Sequence, residues 1–162
     1  MRRLSALIAL PMTVSTLLVA PASTAAAACA YGCDGRDPIA TGCAADARTV
    51  ASAPVMSSQY PYGIRYGTIN LRWSPSCQAN WGQLVLTNPN NPGHWFRTIW
   101  IERWYGTSGV GWTRNEFTFS GTGSPIWGNM LYAPQCARAG VYMQVSGASP
   151  WDQADGTTVA AC

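Results

Sequence analysis

The sequence predicts an all-β domain, a small disulfide-stabilised antiparallel sandwich or barrel with at most one short helical turn. Three observations carry this. Apolar and polar residues alternate at period two in several short runs, which places one face of each run in a core. Turn-forming Gly, Pro and Asn clusters separate the runs. Six cysteines, Cys29, Cys33, Cys43, Cys77, Cys136 and Cys162, all follow an export-type leader. That combination belongs to a chain that folds in an oxidising space.

The leader comes first. Met1-Arg2-Arg3 is a positive start, residues 4–19 are mostly apolar, and small residues follow to Ala28. These are the three parts of a secretory signal peptide, here residues 1–28. The apolar stretch contains Pro11 and is shorter than the about 20 residues that a spanning helix needs. We therefore expect residues 29–162 to be a single secreted, extracellular domain without a membrane span. Ala26-Ala27-Ala28-Cys29 resembles a lipoprotein box only loosely, and a lipid anchor on Cys29 is the alternative. Lipidation would leave one cysteine without a mate, against the usual even count of secreted chains.

The stretch from Cys33 to Cys43 holds Gly35, Asp37-Pro38 and Gly42, all turn formers. A segment that folds back on itself brings its ends together, so the spacing predicts a Cys33–Cys43 bond. Asp34, Asp37 and Asp46 are hard oxygen ligands, but their spacing matches no calcium loop. Turn formation and capping are the expected roles. The segment Cys43-Ala44-Ala45-Asp46-Ala47 can form the one short helical turn.

Strands follow. Ile69, Leu71 and Trp73 alternate with Thr68, Asn70 and Arg72. Phe117 and Phe119 alternate with Glu116, Thr118 and Ser120, and Val141, Met143 and Val145 with Tyr142, Gln144 and Ser146. Residues 83–87 and 98–104 are further strands with both faces partly apolar, which suits central strands. Residues 129–132 and 157–161 are weaker candidates. The loops are residues 88–93, 106–111 and 121–125.

Two stretches resemble a known family. The first is Cys33-Asp34-Gly35 with Asp37-Pro38, then Thr41-Gly42-Cys43-Ala44-Ala45-Asp46-Ala47 and Thr49-Val50. The second is Leu71-Arg72-Trp73-Ser74-Pro75-Ser76-Cys77 with Ala79-Asn80-Trp81. Both resemble the YjfA-like secreted proteins of Gram-positive bacteria, a domain of unknown function (2690). Met130-Leu131-Tyr132 and the terminal Ala160-Ala161-Cys162 resemble the family's close. The resemblance implies location and domain identity and brings no active site. Against that pattern, Cys29, Cys136 and the Trp-rich residues 95–112 look like additions. Cys77–Cys162 and Cys29–Cys136 are the first pairing to test among the many that six cysteines allow.

Composition excludes several functions. Ten basic residues include Arg2 and Arg3, which leaves eight arginines against seven carboxylates after the leader, a net charge of +1, with no lysine. An electrostatic nucleic-acid binder would show a basic stripe. The absence of lysine removes Schiff-base chemistry. The one histidine is His94, and no serine-triad or nucleophile-elbow pattern surrounds it. A zinc site needs more histidine or free cysteine than an oxidised chain offers. We expect no metal and no cofactor.

Eight tryptophans are many for one such domain. Trp73, Trp100 and Trp104 fall within strands and are expected in the core. Trp95, Trp112, Trp127 and Trp151 fall beside turns, and residues 60–67 form an aromatic loop with Tyr62 and Tyr66. Exposed rings with a polar handle stack on sugars or peptides. The leading reading is therefore a non-catalytic extracellular binding module that uses Trp95, Trp112, Trp127, Trp151, Tyr62 and Tyr66. Its partner would be a cell-wall or environmental polysaccharide, or a protein. The second reading is a small secreted hydrolase with Glu102 and Glu116 as its carboxyl pair. The third is a structural or inhibitory extracellular protein.

Overall fold

The computed structural model describes residues 29–58, 63–87, 94–104, 112–120, 123–145 and 152–162. The expected leader (1–28) and the expected loops 88–93 and 106–111, with Tyr62 and Trp151, lie outside them. Two 3-10 turns, Ala30–Cys33 and Cys43–Asp46, come first; the second is the helical turn expected from the sequence. Nine strands follow among the described residues. They are β1 (Arg48–Ser57), β2 (Arg65–Ser74), β3 (Ala79–Leu86), β4 (His94–Trp104), β5 (Trp112–Ser120), β6 (Ile126–Trp127), β7 (Leu131–Tyr132), β8 (Ala137–Val145) and β9 (Asp152–Thr157).

All pair antiparallel in one sheet ordered β5-β4-β8-β9-β1-β2-β3-β6, with β7 also on β3. The sheet curls into a nearly closed barrel. Alternation explains its inside. Ile69 and Leu71, Leu84 and Leu86, Ile99 and Ile101, and Val141 and Met143 pack as one buried cluster. Each large aliphatic side chain so buried contributes roughly 1.5–3 kcal/mol. Opposite walls touch where β3 carries Gly82, since a Cβ there would stand 2.6 Å from Ile99 Cγ2.

A second layer covers the outer face of β3. Ala79 and Trp81 point away from the barrel core and bury against Cys33, Cys43, Cys77 and Met130. Residues 29–47 thus form a cap on the barrel, and β3 is buried on both sides. Arg103 of β4 clamps this cap: its Nη1 donates to Asp34 Oδ2 at 2.6 Å and to the Tyr132 carbonyl at 3.0 Å. The Tyr132 amide donates to Asp34 Oδ1 at 2.7 Å.

All six cysteines are oxidised, as expected, but their partners differ. The bonds are Cys29–Cys33, Cys43–Cys77 and Cys136–Cys162. None of the expected pairs Cys33–Cys43, Cys77–Cys162 and Cys29–Cys136 forms. The turn after Cys33 does fold back, with Asp37 accepting from the Ile39 and Ala40 amides. It carries Cys43 to the β2–β3 hairpin, where Cys77 waits. The tail after β9 returns to β8 through an Ala137–Ala161 bridge, which sets Cys162 beside Cys136.

The expected tryptophan core is also corrected. Trp73 and Trp100 are half-buried, and Trp104 is exposed. The inward positions of β4 belong to Arg97, Ile99, Ile101 and Arg103, so Trp100 and Trp104 fall on the other face. Among the tryptophans with described side chains, the deeply buried one is Trp81, at 3% exposure.

Candidate functional site

The sheet parts between β1 and β9. β1 pairs with β2 along its length, but with β9 only at Met56↔Asp155 and Ser57↔Ala154. The first half of β1 therefore parts from the C-terminal tail. A cleft of about 420 Å³ lies in this opening. Arg48 and Val50 of β1 line it with Trp73, Asn80, Ala133, Pro134, Gln135, Ala161 and Cys162. Its volume falls in the range of roughly 300–1,000 Å³ usual for small-ligand sites.

Each wall has a local cause. Trp73 and Asn80 are register partners at the end of the β2–β3 hairpin. Asn80 is held by donation from its Nδ2 to the Ala133 carbonyl at 2.9 Å, which also fixes the β7–β8 connection. The Cys136–Cys162 bond pins the tail that closes the far wall. Arg48 carries no ion pair or side-chain hydrogen bond among the described residues. The cleft thus combines an indole, a guanidinium, two carboxamides and apolar ground.

Of the aromatic residues expected to bind, Tyr66 and Trp127 have described side chains, and these two pack in different clusters. Tyr66 packs half-buried on the barrel core, whereas Trp127 packs on the sulfur-rich cluster under the cap. Trp127 Nε1 donates to Asp37 Oδ2 at 3.0 Å, and a hollow of about 190 Å³ beside it is lined by Asp37, Phe117, Pro125 and Ile126. Trp95 and Trp112 lie in β4 and β5. Their side chains, with Tyr62 and Trp151, lie outside the described residues. Sequence reasoning named Trp73 only as core and missed Arg48, Asn80 and Gln135. Nothing in the linear order links these residues, because three strands and the chain terminus bring them together.

Asp34, Asp37 and Asp46 are all occupied. Asp46 accepts from Ser74 Oγ at 2.6 Å and from the Ser76 amide at 2.9 Å. Burial pushes its pKa up, but these hydrogen bonds outweigh it and hold the carboxyl below its ordinary 3.8. Asp37 behaves likewise: burial raises its pKa, and bonds from Ala40, Trp127 and Ile39 lower it further. With Asp34 bound to Arg103, the three aspartates serve separate turns and clamps.

Glu102 and Glu116 are also tied up. Arg114 Nε donates to Glu102 Oε1 at 2.7 Å, and Arg138 Nε donates to Glu102 Oε2 at 2.6 Å. Arg114 Nη1 reaches Glu116 Oε1 at 3.1 Å. The Arg114 guanidinium lies 4.3 Å from the centre of the Trp100 ring. Burial lowers the Arg114 pKa, yet its bonds to both glutamates raise it above its ordinary value. One arginine bridging both carboxylates is the geometry of a structural network on the sheet's outer face.

The fold and its bonds define a class: disulfide-bonded antiparallel barrels with a cysteine-rich cap. The chain belongs to the family described as protein of unknown function (DUF2690), whose model matches residues 31–111. The match runs from the cap through β4 and includes Trp95 and Trp100, so the Trp-rich stretch is not wholly an addition to the pattern. It leaves out Cys29, Cys136, Cys162 and strands β5–β9. No curated protein and no solved structure matches the chain.

Proposed function

We propose that this is a secreted, non-catalytic binding module whose β1–tail cleft takes a saccharide segment bearing a carboxylate. The observation behind the reading is that Trp73, the unpartnered Arg48 and the carboxamide residues Asn80 and Gln135 line one cleft. An indole offers an apolar plane for the C–H face of a sugar ring. A guanidinium recognises carboxylate with paired, directed donors. Carboxamides donate to and accept from hydroxyls. A near-neutral net charge leaves recognition to such local contacts rather than to a long-range field.

The test incubates the purified protein with insoluble peptidoglycan, chitin and cellulose, and titrates acidic and neutral oligosaccharides against tryptophan fluorescence. Retention on an acid-bearing polymer and a saturable fluorescence change are expected. Trp73→Ala removes binding of both sugar types. Arg48→Ala weakens only the acidic ones, by about tenfold, the worth of one charge-assisted hydrogen bond. Protein left wholly in the supernatant, with fluorescence unmoved by every sugar, overturns the reading.

A further inference from the structure

The cysteines of the cap hold more than two staples. The Sγ atoms of Cys29, Cys33, Cys43 and Cys77 all lie within 4.8 Å of one another. Three come from different structural elements: the end of the first 3-10 turn, the start of the second, and the β2–β3 hairpin. Cys33, Cys43 and Cys77 are fully buried, and Cys29 is half-buried at the surface. Trp81, Met130 and Ala79 wall the chamber with apolar surface.

Two disulfides need no such gathering, because each bond fixes only its own two sulfurs. A tetrahedral thiolate site does need it. Four sulfurs about 2.3 Å from one zinc-like ion stand about 3.8 Å from each other, from the tetrahedral geometry. The bonded pairs Cys29–Cys33 and Cys43–Cys77 stand closer than that spacing, and no two of the four sulfurs are more than 4.8 Å apart. Cleaving both bonds lets each pair separate toward it by side-chain rotation. Soft thiolates in a dry, closed chamber select zinc-class cations over calcium or magnesium.

We propose that the four-sulfur chamber of Cys29, Cys33, Cys43 and Cys77 is a second binding site, which in its reduced form takes one soft, tetrahedral divalent cation of the zinc class. The sequence argument against zinc assumed that every cysteine was oxidised, and this site arises when four of them are not. Two equivalents of a phosphine or dithiol reductant supply four electrons, cleave both S–S bonds and yield four thiols. Binding then releases four protons and forms four metal–sulfur bonds. Cys136 and Cys162 lie outside the chamber and take no part. Half-exposed Cys29 is the entry point for the reductant and the ion.

The experiment uses the full chain, reduced with a phosphine under anaerobic conditions and titrated with cobalt(II). Visible bands of a tetrahedral cobalt–thiolate centre are expected, saturating at one ion per chain and bleached by zinc. Cys33→Ser/Cys77→Ser loses them, and Cys136→Ser/Cys162→Ser keeps them. A second readout needs no variant. Zinc shields Cys29, Cys33, Cys43 and Cys77 of the reduced wild-type chain from alkylation, while Cys136 and Cys162 react. If reduction loosens the fold, zinc restores the native tryptophan emission. Equal alkylation of all six cysteines, absence of the cobalt bands, or bands that survive Cys33→Ser/Cys77→Ser overturns the proposal.

Discussion

At the scale of single residues, small choices decide where side chains go. Gly140 on β8 faces Trp100 on β4, and a Cβ there would stand 2.0 Å from Trp100 Cζ2. The ring lies flat on β8 because that position has no side chain, and its position allows Arg114 to stack on it. Gly140→Val should displace the ring and destabilise the domain by about 1–3 kcal/mol, seen as a lower urea midpoint and a shifted tryptophan emission. The bound aspartates make a second case. Asp37 and Asp46 have pKa values below the ordinary 3.8, so the folded state binds fewer protons than the unfolded one. Their stabilisation is full above the unfolded value and lost as pH falls through the folded one. Asp46→Ala should lower stability by about 1 kcal/mol at neutral pH, discounted for its exposure. It should also flatten the fall of the melting temperature below pH 4; an acid slope equal to wild type would refute its share.

At the scale of elements, the outer face of β4 is organised by Glu102. Its side chain is 6% exposed, while Arg114 and Arg138 are 44% and 36% exposed. Removing the carboxylate leaves two facing guanidiniums without their shared acceptor. Glu102→Gln should therefore cost about 1–3 kcal/mol, below the penalty for a fully dry ion pair because water reaches both arginines. Chemical denaturation checks the size, and a variant as stable as wild type would show that the network contributes nothing. Strand prediction has its own lesson here. The runs around Ile69, Phe117 and Val141 were legible because their outer faces are polar. β1 was not, because Arg48–Ser57 is rich in Ala and Ser and contains Pro54. Small residues give no alternation, and the neighbouring strand β2 supplies the ladder instead.

At the scale of the whole molecule, the bonds divide by the loop they close. Cys43–Cys77 and Cys136–Cys162 span 34 and 26 residues, and Cys29–Cys33 spans 4. Loop entropy makes the long two worth about 3.5–4 kcal/mol each and the short one about 2. Peptide mapping of the unreduced protein should recover Cys136 linked to Cys162; finding Cys136 joined to Cys29 would refute this topology. Cys136→Ser/Cys162→Ser should lose that stability and also weaken cleft ligands, because the tail is one wall of the site. Thermal melting and sugar titration of the same variant separate the two effects.

The sequence by itself determined the class of fold, the oxidised state of all six cysteines and the turn that begins at Cys43. Each follows from local pattern: alternation, cysteine parity and turn chemistry act over a few neighbouring residues. The tertiary structure decided which cysteines meet, which tryptophan is buried and where the cleft lies. Those depend on how β3 is covered on both sides and how β1 parts from the tail. Such contacts join residues far apart in the chain, and their geometry is set only when the sheet closes.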